Sequence, residues 1–409
     1  MCYELYDKIL REVRCIMRYV NANKVLPDEL IQEIKKYVEG VYVYIPQNES
    51  KRKKWGSNTN SKKELKLRNI RIYDNYLEGK SVEIIADNYY LSVKSIRRII
   101  LSSRREMEPV GKMINEILKN WDIDCEAKQI HHSAWSINNE YVLKEYSDEN
   151  SLKRNIGMFK TLYKENVPVP KVISLPNGEE YYKSCDKQYI LTTQLKGKNN
   201  IDLNECDDKW LFDFGTIIGN LHLAFGECQK DISFWNNSML EEMNGWVSQK
   251  LTKFKPEYLD MNDAENSISQ LSEVFHKLPK QLIHRDIHLG NFLFDEQGFS
   301  GYIDFDLSQS NIRIFDICYF LLGALSGGIN SRVKCEDWFR LLKQVVNGYD
   351  SKLTLSSEER ESIPCVMKNI ELLFVAYFLG LGDGKMAENA ANLFSFVKDH
   401  ESRILDELM

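Results

Sequence analysis

Leu282-Ile-His-Arg-Asp-Ile-His-Leu-Gly-Asn-Phe-Leu-Phe294 is the stretch from which the rest of the chain can be read. Leu282-Ile283 closes one strand-like run and Phe292-Leu-Phe294 opens another. The loop between them carries Asp286 and Asn291 five residues apart, so both side chains can aim at one point. Asp295-Glu-Gln-Gly298 then reads as a hairpin turn into a second strand, Tyr302-Ile-Asp-Phe-Asp306. Pairing of those strands sets Asp304 beside Asn291. Phosphoryl transfer needs such a set: one carboxylate to orient and deprotonate a hydroxyl, and a carboxylate with an amide oxygen to hold Mg2+ against a triphosphate. Oxygen ligands suit a hard cation, and soft ligands would argue for zinc.

Working outward, residues 120–409 begin β-rich and end helical. Gln129-Ile130, Tyr141-Val-Leu-Lys144 and Tyr189-Ile-Leu-Thr-Thr193 read as strands. Ser151–Tyr163 has amphipathic helix spacing, Val167-Pro-Val-Pro170 reads as an extended loop, and helices follow from Asp208. The pattern predicts two lobes with a cleft between them.

His284-x-Asp286-x-x-x-x-Asn291 followed by Ile303-Asp-Phe305 resembles the aminoglycoside phosphotransferase and choline kinase-like superfamily, over about residues 120–400. His288, Gly290, Asp316 and Asn347-Gly-Tyr349 carry the likeness further. The resemblance implies an α+β, bilobal, protein-kinase-like fold using ATP (or GTP) and Mg2+. Asp286 would be the catalytic base, Asn291 and Asp304 the metal ligands, and Lys144 the contact to the α/β-phosphates. Ser133 and Ser136, in the His131–Ser136 phosphate loop, would also meet nucleotide, as would Thr193, Gln194 and Leu195 at the hinge. His284, His288 and Asp316 would be structural supports. Two departures stand out. The phosphate loop has no glycine, which usually permits close backbone approach to phosphates. Asn155 occupies the place of the glutamate that should pair with Lys144; Glu149 or another acid is left to substitute. Asp306 reads as a surface acid in preference to a second metal contact.

The N-terminal part reads differently. Residues 51–105 carry a net charge of +10, while residues 106–409 carry −15. A basic block joined to an acidic one points to two modules with different partners. Within 64–103, helices are expected from about Lys66 to Leu77, from Ser81 with Ile84, Ile85 and Ala86 inward, and from Ser92 with Ile96, Ile99 and Ile100 inward. Asn88-Tyr-Tyr-Leu91 is the turn between the last two. Ala86 and Ile96, ten residues apart, fit two short helices crossing tightly, which is helix-turn-helix spacing. Asn69-Ile-Arg-Ile-Tyr73, Gly79, Leu91-Ser92 and Ser95-Ile-Arg-Arg-Ile99 resemble the Mor transcription activator type of domain, over about residues 18–103. By that resemblance Ser92, Lys94, Ser95, Arg97 and Arg98 would face duplex DNA; a dimerising role is the alternative. Upstream, residues 1–40 read as two helices, Val41–Ile45 as a short β-like run and Gln47–Lys63 as a loop.

The expected division is 1–105 helical, 106–195 a kinase-like N-lobe and 196–409 a helical C-lobe. Nine scattered Cys with no C-x-x-C favour reduced thiols in a cytoplasm over a disulfide frame or zinc site. The near-apolar stretch 372–382 is too short for a membrane span, and the start of the chain has no apolar signal segment. The expected function is phosphoryl transfer to a hydroxyl of a small, cationic molecule such as an aminoglycoside or amino alcohol, an inference the acidic domain favours. The competing expectation is a transcription regulator whose kinase-like domain only senses a ligand. A homodimer fits either.

Overall fold

The computed structural model describes residues 61–408 apart from Tyr90, Asn200, residues 235–237, residues 327–332 and Lys334. The expectations for residues 1–60 lie outside the described residues. The chain forms two compact units, one comprising Met1–Val110 with Ile130–His132, the other the remainder.

In the first unit, α1 (Ser61–Leu77), α2 (Val82–Tyr89) and the start of α3 (Val93–Leu118) pack around Ile72, Tyr73, Ile85, Ala86, Ile96, Ile99 and Ile100. Ser81 caps α2 by accepting the Ile84 N–H at 3.3 Å, and Ser92 caps α3 by accepting the Ser95 N–H at 3.1 Å. Ile84, expected inside, is 45 % exposed, because only Ile85 and Ala86 turn toward the neighbouring helices. Helix α1 begins at Ser61, earlier than its apolar spacing indicates, so the end of the expected 47–63 loop is helical.

After α3 the chain forms a six-stranded sheet. Its strands are β1 (Lys128–His131), β2 (Ala134–Ile137), β3 (Tyr141–Tyr146), β4 (Val172–Ile173), β5 (Tyr182–Ser184) and β6 (Lys187–Thr193). They run in the order β1-β2-β3-β6-β4, with β5 also on β6. Lys144 lies opposite Ala134 on one side and Ile190 on the other. Helix α4 (Glu149–Lys164) is capped by Asp148, which accepts the Ser151 N–H at 2.9 Å; it buries Leu152, Asn155, Ile156 and Phe159 on one face.

The larger, helical part comprises α5 (Asp208–Asp231), α6 (Met239–Glu242), α7 (Ser248–Phe254), α8 (Met261–Val274), α9 (Ile314–Ser326), α10 (Cys335–Asp350), α11 (Ser357–Leu381), α12 (Gly384–Asp399) and α13 (Glu401–Leu408). Two short antiparallel pairs interrupt it: β7 (Lys280–Ile283) with β10 (Gln309–Ile312), and the hairpin of β8 (Phe292–Asp295) with β9 (Gly298–Tyr302). Helices α5 and α10 touch backbone to backbone at Gly215 and Gly348. A Cβ on Gly215 would lie 1.9 Å from the Val345 carbonyl oxygen, and one on Gly348 2.0 Å from that of Phe212. Helix α11 passes the length and composition test for a membrane span, the one described helix to do so. Yet 72 % of its apolar window is buried inside the protein, where it forms part of the core.

Strand β9 stops at Tyr302, whereas the alternation of residues carries the expected strand on to Asp306. Asp304 has φ +62°, a left-handed conformation that ends the extended ladder and turns the next residues.

Candidate active site

Both strand pairs meet at the loop 284–291. Strand β7 delivers His284 to it, and β8 leaves from Asn291. Asp316, fully buried near the start of α9, fixes the loop backbone. Its Oδ2 accepts the His284 N–H at 2.7 Å and its Oδ1 accepts the Arg285 N–H at 2.9 Å. Arg285 can then hold φ +70° while its guanidinium reaches Glu242 at 2.5 Å. Asp316 Oδ2 also lies 3.0 Å from His222 Nε2, and His222 Nδ1 lies 2.9 Å from Tyr349 Oη. The carboxylate requires a proton on Nε2, so Nδ1 accepts from the tyrosine. Close packing at Gly348 is what brings Tyr349 near enough.

His284 is buried, and burial holds its imidazole below its ordinary pKa against the pull of Asp316, Asp286 and Asp304. Its Nε2 lies 3.3 Å from the Ile303 carbonyl, and its ring packs on Phe305 at 4.7 Å. It therefore ties the loop to the segment that carries Asp304. His288 is more exposed. Its Nδ1 accepts the Gly290 N–H at 3.0 Å, and a Cβ on residue 290 would strike the ring at 2.6 Å.

Asp286 receives the Tyr319 hydroxyl on Oδ1 at 2.9 Å and the Asn291 amide on Oδ2 at 3.2 Å; His288 Nε2 stands 3.7 Å from Oδ2. Burial would raise its pKa. The neighbouring His288 first, then His284 and the Tyr319 hydrogen bond, outweigh that and hold it at about 2. The Asn291 amide nitrogen also donates to the Asp286 carbonyl at 2.9 Å, which turns Oδ1 of Asn291 away from Asp286. The Ile303 N–H donates to the Asn291 carbonyl at 3.0 Å, placing Asp304 alongside. Asp304 and Asp286 feel each other's charge, yet Asp304 is held low, first by Lys144 and against burial. Two carboxylates and an amide oxygen thus gather in one place. Asn291 and Asp304 offer the oxygen-only donor set that fits a hard divalent cation.

Lys144 Nζ is 3.2 Å from Asp304 Oδ1 and 2.7 Å from Asp306 Oδ2. Burial would lower its pKa, but Asp306, Tyr146 and Asp304 raise it well above the ordinary value. Asp306, read from the sequence as a surface acid, is exposed, and it also accepts from Tyr146 Oη at 3.0 Å and from Asn155 Nδ2 at 2.9 Å. Glu149 is not the substitute partner of Lys144: Lys153, Lys183 and Tyr181 each hold it at 2.8 Å.

The residues expected from sequence to meet nucleotide have these partners. Ser136 is buried in β2 and donates to Gln194 Oε1 at 2.7 Å, so its hydroxyl braces the hinge. Ser133 sits in the two-residue turn between β1 and β2, where its carbonyl accepts the Glu145 N–H at 2.8 Å. The N–H groups of Thr193 and Gln194 donate to Lys171 and Glu140. Leu195 is then the hinge residue whose main-chain donor has no partner among the described residues. His222, Tyr319 and the Tyr146–Asn155–Asp306 cluster carry no motif by which sequence reasoning finds them.

In the first unit, Lys94, Arg97 and Arg98 are exposed on α3, and Arg97 lies 3.9 Å from Glu83. Ser92 is occupied with its cap, 3.0 Å from the Ser95 hydroxyl.

A six-stranded sheet with one helix, a helical part, and a loop that carries Asp286 and Asn291 beside Asp304 make a kinase-like arrangement. Residues 126–344 match the model of the phosphotransferase enzyme family (APH), and the chain belongs to that family. It is 24 % identical over 223 residues to the homoserine kinase of Zymomonas mobilis, matching 52 % of this chain but 64 % of that enzyme's length. Its fold is like that of the amicoumacin kinase hAmiN, solved with AMP-PNP, Ca2+ and amicoumacin: TM-score 0.50, 18 % identity, 66 % of this chain and 84 % of that one. A separate match of 86 residues, 41 % identical, spans 21 % of this chain and 99 % of YraL, an uncharacterized protein of Bacillus subtilis.

Proposed function

We propose that this chain transfers the γ-phosphoryl group of ATP or GTP, with Mg2+, to a hydroxyl of a small acceptor that also bears an amine. The observation that supports this most is the Asp286 carboxylate, ionised and held by Tyr319 and Asn291, beside the oxygens of Asn291 and Asp304. In this reading Asp286 takes the acceptor hydroxyl proton as the acceptor oxygen bonds to phosphorus. The bond to the β–γ bridging oxygen breaks, and the nucleoside diphosphate leaves. Asn291 and Asp304 would hold the cation, which supplies charge neutralisation at the phosphates. Lys144 binds the α/β-phosphates, and the Leu195 N–H meets the base at the hinge. The test is ADP or GDP release across a panel of amino sugars and amino alcohols, homoserine included. No release with any of them, alongside retained nucleotide binding, would favour a ligand sensor.

Glu371 gives the amine a partner. It sits on α11 three residues before Phe374, whose ring packs on Tyr319 at 5.9 Å, and its charge acts on Tyr319, the residue that holds Asp286. It is 4 % exposed, and burial pushes its carboxyl up to about 8. An ammonium arriving there would pair with a carboxylate that otherwise has no hydrogen bond among the described residues. Glu371→Gln should raise KM for amine-bearing acceptors about tenfold or more, the worth of one hydrogen bond to a charged group, and leave KM for nucleotide unchanged. Stability should move the other way. Between the ordinary carboxylate pKa and about 8, the folded protein keeps a proton that the unfolded chain has released, so wild type loses stability as pH rises through that window. Melting curves should show Glu371→Gln gaining on wild type from pH 5 to pH 8. Equal slopes would remove Glu371 from this role.

The first unit supports a second activity, because Lys94, Arg97 and Arg98 project from the helix whose other face buries Ile96, Ile99 and Ile100. We propose that this face meets duplex DNA. Fluorescence anisotropy should show duplex binding that weakens with salt. Arg97→Ala with Arg98→Ala should flatten the log–log salt slope by about 2, one for each arginine that no longer neutralises a phosphate. A slope unchanged by the double substitution would leave this helix a packing element.

A further inference from the structure

A lysine that must meet a triphosphate is a flexible, strongly hydrated cation, and an anion nearby is needed to fix it. Helix α4 offers none: Asn155 stands where the acid was expected and bonds Tyr146 and Asp306, and Glu149 is engaged elsewhere. The anion comes instead from the loop after β9. Asp306 divides its two oxygens between two tasks. Oδ2 meets Lys144 at 2.7 Å, while Oδ1 accepts Asn155 Nδ2 at 2.9 Å and Tyr146 Oη at 3.0 Å. Asn155 Nδ2 also lies 3.1 Å from Tyr146 Oη, so three side chains from a helix, a strand and a loop close into one cluster. Tyr146 follows Lys144 by two residues on β3 and so shares its face of the strand. Asn155 is 7 % exposed, and an amide there is well suited to orient a carboxylate it could not replace.

We infer that Asp306 is the positioning residue for Lys144, and that Asn155 and Tyr146 act as the clamp that aims it. The charge expected on the helix has moved to the loop, and only a neutral hydrogen-bond donor remains on the helix. Asp304 cannot do this work alone, because its oxygens are also those offered to a cation. Asp306 gives the lysine a partner that is not among the carboxylates offered to the cation. The relocation has a mechanical consequence. Asp304, Phe305 and Asp306 are consecutive, and Phe305 is locked between His284 at 4.7 Å and Phe159 of α4 at 5.6 Å. One short segment therefore sets both the cation-facing carboxylate and the lysine.

This inference rests on the kinase reading, and two measurements separate them. The first is nucleotide affinity, read with a fluorescent ATP analogue on the full chain, with Mg2+ and in EDTA. Asp306→Asn should weaken binding about tenfold in each condition. In a Lys144→Met background the same substitution should cost less than twofold, because the lysine through which Asp306 acts is gone. Adding Asn155→Glu to Asp306→Asn should recover at least half of the missing affinity on a logarithmic scale, by returning the charge to the helix. An equal loss in both backgrounds, or no recovery, overturns the inference. The second is the same Lys144–Asp306 cycle read in melting temperature, which needs no nucleotide. Additive shifts there overturn the pairing, even in a protein that turns over ATP. A wild type that binds no nucleotide in either condition sinks the kinase reading, and the thermal cycle still decides the pairing. Should Asp306→Asn not fold, Asn155→Ala and Tyr146→Phe carry the same test: each should cost two- to threefold in affinity with Lys144 present and nothing without it, and equal costs in both backgrounds overturn the inference.

Discussion

Replacing Asp286 with asparagine is expected to lower the turnover of any acceptor this chain phosphorylates by about 10²–10⁴-fold, the usual worth of a positioned general base. Nucleotide affinity should stay within about threefold of wild type. The two halves of that expectation come from different interactions. Asparagine is nearly isosteric with aspartate and keeps an oxygen that can accept from Tyr319, now 2.9 Å from Oδ1. The loop backbone does not depend on the Asp286 side chain, since Asp316 holds His284 and Arg285 from behind. What disappears is the proton acceptor and the negative charge. Because the Asp286 carboxyl is held at about 2, it is ionised from pH 6 to pH 9. The loss should therefore be flat from pH 6 to pH 9, and any acid limb in the wild-type profile belongs to another group. Steady-state kinetics with matched nucleotide titrations would check this. A variant that keeps a tenth or more of wild-type turnover would remove Asp286 as the base.

Much of this site is legible in the sequence because its chemistry is contiguous. Asp286, Asn291 and Asp304 lie within 19 residues and are separated by a turn that the sequence announces. The lysine strand is legible for a similar reason, as Tyr141–Lys144 is a β-type run. The partner of Lys144 is not. Asp306 and Asn155 are 151 residues apart, and neither carries a period that points at the other. Asn155 is legible as the residue in the expected glutamate's place, but nothing in its neighbours says that it bonds Asp306. Tyr319 and His222 are hidden by their surroundings. Each sits in an apolar helical run where an aromatic ring reads as core, and only the fold shows its polar atom turned toward a carboxylate. The strand expected to reach Asp306 stops short for a local reason. Residue alternation continues past Tyr302, but the backbone at Asp304 turns left-handed, and no pattern of residue types reports that. What the sequence does not show at Ser136 is its partner: the hydroxyl in the expected phosphate loop faces inward once β2 is paired and covered, and Gln194 takes it.

Asp316 should matter more to the fold than any group that touches substrate. Its two oxygens take three buried donors: the His284 and Arg285 N–H groups and His222 Nε2–H. Removing the carboxylate leaves all three without an acceptor. Each such orphan costs about 1–3 kcal/mol, so Asp316→Ala should lose on the order of 3–5 kcal/mol or more. At roughly 2–4 °C per kcal/mol for a unit of this size, the melting temperature should fall by about 10 °C. Asp316→Asn should be nearly as damaging, unlike the asparagine at 286. Its amide has one acceptor oxygen for three donors, and its NH2 group would be driven against the His284 or the Arg285 N–H. Two features of the cluster sharpen the test. His222 is coupled to Tyr349 as well as to Asp316, so His222→Ala alone should cost a few kcal/mol. Added to Asp316→Ala it should cost much less, because its Nε2–H is by then already without an acceptor. Thermal or urea unfolding of the four proteins in that cycle would read the coupling. Asp316→Ala shifting the melting temperature by less than about 2 °C, or strictly additive losses, would mean that the loop is held by something other than this carboxylate.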